Sequence, residues 1–202
     1  MADNKSFADE NENLAWEEIK REHIVQDEWI DFRKSTYRFP DGRVFEPYYS
    51  YSRRDYVVVV ATDTEGRYIC VRQFRQGIRQ VTTEFVAGGI EREGKREYRS
   101  DDSLNAEGEL EAAKRELMEE TGYESDEWKF LLKVPSNATM ADNYAYIFEA
   151  RNCKKVSGQS LDETEYLNAK TYNEKEIEDM ISSGEFAQAI HILAWYLKDK
   201  NR

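Results

Sequence analysis

A chain of 202 residues suits one domain of ordinary size with an appended element, and it is long enough to bury a core. Its 29 Lys and Arg against 41 Asp and Glu give a formal charge of -12, which excludes a general affinity for nucleic acid or anionic membranes, since both reward a basic face. Hydrophobic residues at 40% and aromatics at 13% exclude a disordered chain, and the distant pair Cys70 and Cys153 has no zinc-site spacing.

The first residues, MADNKSFADENENLAWEE, lack the basic start and apolar core of a signal peptide, so a soluble, cytoplasmic protein is expected. Residues 1–15 read as a flexible N-terminus. From His23 to Ser52 the pattern alternates around a Pro-Asp-Gly turn at 40–42, which predicts an antiparallel extension of about two strands within residues 16–52. A second hairpin follows, with Val57–Val60 as a buried strand, Asp63–Gly66 as the turn and Tyr68–Phe74 as the return. The stretch TTEFVAGGI reads as a strand ending in glycine, and a polar stretch without apolar periodicity follows it.

Leu110, Ala113 and Leu117 then recur at helical spacing over 106–121, with Gly122 as the stop. KFLLKV and NYAYIFEA read as strands around the loop PSNATMAD, and EYLNAKTY as another strand. Two helices close the chain, one capped by Asn173 and ended at Gly184, the other running from Glu185 with Phe186, Ile190, Leu193 and Leu197 along one side. The order of elements is that of an α+β fold.

The chemistry concentrates in AAKRELMEETGY, residues 112–123. Spacings of i, i+3 and i+4 place Glu116, Glu119 and Glu120 on one helix face, where they repel unless a positive charge sits among them. Carboxylate oxygens suit magnesium or manganese, whose coordination is completed by substrate phosphates and water. Arg115 is placed to hold one of these carboxylates through a charge-assisted hydrogen bond. An acidic helix face alone is more often just solvated, so the longer pattern decides.

Residues 115–123, with Glu107 seven intervening residues before Arg115, resemble the signature of the Nudix hydrolase family, R-E-U-x-E-E-x-G-U with U a bulky apolar residue. Eight specified positions at fixed spacing, Glu107 included, rarely coincide by chance. TEFVAGGIE resembles the family's E-x-P-A-G strand and turn with Val86 in place of proline, and CVRQFR is similar to the preceding strand of its ADP-ribose pyrophosphatase branch. One departure stands out: an insertion of 13 residues, about 94 to 106, separates Gly88 from the helix. Loop-closure entropy grows slowly with length, so a site on either side of it can survive.

The resemblance implies a Nudix-type α/β/α sandwich with a mixed sheet over 53–202. It implies Mg2+, with Mn2+ as an alternative, on Glu116, Glu119, Glu120 and the backbone carbonyl of Ala87, and Arg115 orienting the glutamates. Water would attack one phosphorus of a nucleoside diphosphate substrate, releasing a nucleoside monophosphate and a sugar phosphate. The general base stays open among Asp142, Glu119 and Glu165, because the loop before NYAYIFEA carries no glutamate. Arg72 and Arg75 offer guanidinium forks for phosphate, Glu84 a carboxylate for a ribose hydroxyl or a metal-bound water, and an aromatic of the extension such as Trp29 a face for the base. By the same resemblance the extension exchanges with a partner subunit, giving a homodimer. A module that senses nucleotide without turnover is the alternative; it should have lost a signature glutamate or Arg115, and none is lost.

Overall fold

The computed structural model describes residues 13–91 and 108–198. Glu107, the insertion at 94–106 and residues 1–12 lie outside the described residues. The described chain divides into two compact units, one running to Arg53 and including Thr139–Ala141, the other made of Arg54–Ala138 and the residues from Asp142 onward.

The first unit is an antiparallel sheet of three strands in chain order, β1 Glu17–Gln26, β2 Asp31–Arg38 and β3 Val44–Ser52. The sequence suggested about two. The strand it missed is β1, whose residues EEIKREHIVQ are exposed along almost the whole length and so show no sustained alternation of buried and solvated positions. Asp27 closes the β1–β2 turn by accepting the Trp29 and Ile30 N–H groups at 2.7 and 2.9 Å. In place of a helical cover, this unit has an aromatic cluster: the Trp16 ring stands 4.4 Å from Phe39 and 6.0 Å from Tyr48, edge to face. Thr139–Ala141 join it through β3, with Tyr51 N–H donating to the Met140 carbonyl at 2.7 Å.

The second unit holds a seven-stranded mixed sheet. Its strands are β4 Tyr56–Asp63, β5 Tyr68–Arg75, β6 Gln80–Gly89, β7 Tyr123–Glu124, β8 Glu127–Pro135, β9 Tyr144–Lys155 and β10 Leu167–Tyr172. The order is β10-β5-β6-β4-β9-β7, with β8 also on β9, and the β4–β9 pair is parallel. Three helices accompany it: α1 Glu109–Thr121, α2 Glu174–Ser183 and α3 Ala189–Leu197.

Side chains alternate across a strand, so the Val run of β4 serves two cores. Val57, Val59 and Ala61 pack with Ala112, Ala113 and Leu117 of α1. Val58 and Val60 pack with Ile177 and Met180 of α2 and with Ala194 and Trp195 of α3. The result is an α/β/α sandwich.

Of the boundaries that differ from the sequence expectation, two lie in the second half of the chain near the site residues. The last helix begins at Ala189 instead of Glu185, because the Glu185 carbonyl accepts the Thr83 N–H at 3.2 Å and Phe186 N–H returns to Met180 at 3.0 Å. The strand read in EYLNAKTY begins at Leu167, which leaves Glu165 and Tyr166 in the turn before it. Among the described residues no helix is long and apolar enough to cross a membrane.

Candidate active site

Helix α1 sits on the sheet through Ala112, Ala113 and Leu117, and this seating carries the neighbouring Glu116 and Glu120 inward, to 6% and 2% exposure. The two lie one turn apart on the same face. Glu165 arrives from the turn before β10, and one carboxylate oxygen from each of Glu116, Glu120 and Glu165 lies within 4.8 Å of the others.

Burial penalises the charged forms. It pushes the Glu116 carboxyl up to about 7, with Arg115 opposing and the charges of Glu165 and Glu119 adding to the rise. Glu120 is raised well above the usual carboxylate range by burial, then by Glu116 and Glu165, and only the Ala87 N–H at 3.4 Å and the charge of Arg75 work the other way. Ionising these carboxyls without a counter-ion is therefore unfavourable, because water screens them poorly and too little positive charge stands near them. Three hard oxygen donors with this deficit fit a divalent cation of the magnesium or manganese type.

Arg115 organises the approach. Its Nη1 donates to Glu116 at 2.8 Å and to Glu119 at 2.9 Å, and its Nη2 donates to the Gly89 carbonyl at 2.9 Å, tying the helix to the end of β6. Glu119 is thus turned to Arg115 and stands outside the three-carboxylate group.

Gly88 completes the wall on the β6 side. A Cβ built there would lie 1.9 Å from the carboxyl carbon of Glu116, so any side chain must displace that carboxylate. Glu116 is flexible enough to move, so Gly88→Ala is expected to leave the thermal transition nearly unchanged while lowering turnover at least tenfold, on the order expected when a ligand is mispositioned. Turnover at the wild-type level, with a circular dichroism melt as control, would show that the observed Glu116 position is not needed.

The other expected residues are distributed more widely. Both Glu84 oxygens are occupied: the carboxylate is fully buried and receives the Arg75 fork through Nε at 2.8 Å and Nη2 at 2.9 Å, with Thr82 Oγ1 at 3.2 Å. His191 stands 3.9 Å from the same carboxylate through Nε2, while its Nδ1 accepts the Phe85 N–H at 3.1 Å. Burial and then Arg75 push that imidazole down to about 3, so it is neutral. Arg72 pairs with Glu185 at 3.3 Å. Asp142 follows the three residues that pair with β3 and is not in the carboxylate group. Trp29 lies exposed in the β1–β2 turn of the first unit. Ala87, next to Gly88, meets Glu120 through its N–H.

His191 and Gln159, whose side chain donates to the Glu120 carbonyl at 2.7 Å, were not among the site residues expected from the sequence. Neither belongs to a motif; an isolated histidine in an apolar helix and a glutamine in a polar loop give no signal by spacing.

The NUDIX domain family profile matches residues 52–193. Over 157 residues the chain is 26% identical to the methanol dehydrogenase activator of Bacillus methanolicus, covering 74% of each protein. Over 178 residues it is 25% identical to the ADP-ribose pyrophosphatase of Bacillus subtilis strain 168, covering 85% of each. Its fold is similar to that of a crystallised ADP compounds hydrolase, with a TM-score of 0.76, 20% identity, and 93% of this chain and 94% of the other covered. With its α/β/α layers, its R-E-L-x-E-E helix and a family match across most of its length, this chain belongs to the Nudix hydrolase family.

Proposed function

We propose that the chain hydrolyses the pyrophosphate bond of ADP-ribose or a closely related nucleoside diphosphate sugar, yielding a nucleoside monophosphate and a sugar phosphate, with Mg2+ as the working ion and Mn2+ able to replace it. The observation that carries this reading is the convergence of Glu116, Glu120 and Glu165 within 4.8 Å beside Arg115. The similarity to an ADP-ribose pyrophosphatase supports the substrate class. A homodimer in the cytoplasm is the setting expected for it.

Glu116 and Glu120 would hold the ion, with the Ala87 carbonyl and Glu119 as further oxygen donors. A bound divalent ion supplies neutralisation of the diphosphate charge and a lowered pKa for water. Arg115 keeps Glu116 aimed by holding one of its oxygens and anchoring to the Gly89 carbonyl. Glu165 is only half-buried and stands at the rim of the group, where its carboxylate can take the proton of the attacking water as the new oxygen–phosphorus bond forms and the bridging bond breaks. Arg75 is one-third exposed beyond its pair with Glu84 and places a guanidinium near Glu120, which suits the outer oxygens of a diphosphate.

The test is phosphatase-coupled detection of released monoesters across ADP-ribose, other nucleoside diphosphate sugars, dinucleotides and triphosphates, with Mg2+, Mn2+ or chelator. The expected result is metal-dependent turnover highest for ADP-ribose or a nucleoside diphosphate sugar. Tight binding of one compound without turnover of any would overturn this reading in favour of a sensing module.

A further inference from the structure

The carbonyls of a helix's last turn have no partner within the helix. In α1 the Gly122 N–H returns to the Met118 carbonyl with φ 71°, which satisfies one of them. The segment after β9 satisfies others. Ser160 N–H donates to the Glu119 carbonyl at 2.8 Å, and the Gln159 side chain donates to the Glu120 carbonyl at 2.7 Å. Val156 and Ser157 N–H both donate to the Gly122 carbonyl, at 2.9 and 3.2 Å. The approach is close enough that a Cβ at Gly122 would meet the Ser157 carbonyl oxygen at 2.2 Å.

This docked segment is the one that delivers Glu165. Leu161 packs against the core beneath α1. The turn then closes on itself, with Asp162 N–H donating to the Glu165 carboxylate at 3.1 Å and Glu165 N–H donating to the Asp162 carbonyl at 3.0 Å. The helix that presents Glu116 and Glu120 therefore also anchors, through its C-terminal carbonyls, the loop that presents the third carboxylate. Three of these anchoring bonds are made by backbone N–H groups, those of Val156, Ser157 and Ser160; Gln159 makes the one that a side chain supplies to a carbonyl, and it makes it to Glu120 itself.

We infer that Gln159 is a positioning residue for Glu165: its amide fixes the loop on the end of α1 so that the Glu165 carboxylate stands beside Glu116 and Glu120. Gln159 touches no reacting atom. The inference rests on the reading above that Glu165 acts in hydrolysis. Loss of one such bond lets the loop leave its place part of the time, and a side chain acting through a reacting group typically changes rate by about tenfold or more.

The experiment is a kinetic double-mutant cycle of Gln159→Met and Glu165→Gln on ADP-ribose with Mg2+, together with amide hydrogen exchange over residues 156–165. Gln159→Met removes the donor at nearly constant shape. It is expected to lower kcat roughly tenfold with KM little changed, to speed exchange of the Ser160 amide, and to have almost no further effect on kcat once residue 165 is Gln. An equal loss in both backgrounds would overturn the positioning role, as would unchanged exchange over 156–165, whatever the activity. Glu165→Gln turning over at the wild-type rate has a different signature: it removes Glu165 from the reaction and takes the inference with it.

Discussion

Glu120→Gln is expected to lower metal-dependent turnover at least about a hundredfold and, in the same protein without metal, to raise the melting temperature above neutral pH. The two effects have one cause. Glu120 is buried against Glu116 and Glu165, and its carboxyl is held well above the usual range, so the folded state keeps a proton that the unfolded chain releases. Glu116 behaves alike, moved from 4.5 to about 7. Between those values the native state binds more protons than the unfolded state, so the contribution of this group to stability is fully present below about 4.5 and is lost as pH rises through about 7. A glutamine of nearly the same shape removes one charge from the group, which relieves the repulsion but leaves a weaker donor for the ion. Scanning calorimetry between pH 5 and pH 8 without metal, paired with turnover in Mg2+, checks both halves. A variant that lost activity and also melted lower at high pH would mean that Glu120 serves the fold, with no strained ligand group.

Glu165→Gln should cost about 10^2- to 10^4-fold in kcat, the range for removal of a positioned general base, with KM nearly unchanged. Asp142→Asn should turn over close to the wild-type rate, since Asp142 lies outside the three-carboxylate group. Metal dependence separates a base from a ligand: added Mn2+ should not restore the rate of Glu165→Gln. If Asp142→Asn carried the large loss and Glu165→Gln did not, the proton would leave through the loop before β9.

What could be read from the sequence was whatever depended on short spacing. The Val57–Val60 run announced a strand buried on both faces, and both cores form around it. Helical spacing put Glu116, Glu119 and Glu120 on one face; Glu116 and Glu120 do turn inward together beside the buried Leu117, whereas Glu119 turns to Arg115 and stands outside the three-carboxylate group. Arg115 could be expected to hold a glutamate, though its bond to the Gly89 carbonyl depends on tertiary placement.

Spacing says nothing about segments brought together from afar. Glu165 stood as one of three candidates for the base, because only the docking of its loop onto the end of α1 brings it to the other two glutamates. The Arg75–Glu84 pair was read as two separate substrate groups, whereas the sheet register places their strands side by side and the fork closes on a fully buried carboxylate. β1 escaped for a related reason: an exposed strand has no buried face, so it leaves no alternation to detect.

The most direct test of the central claim, that Glu116 and Glu120 hold a divalent ion beside Glu165 for pyrophosphate hydrolysis, is ADP-ribose turnover in 18O-labelled water, with Mg2+ and then with chelator. The expected result is Mg2+-dependent cleavage that leaves one 18O in a single phosphate product. Undiminished cleavage in chelator, or no incorporation of label into either product, would contradict it.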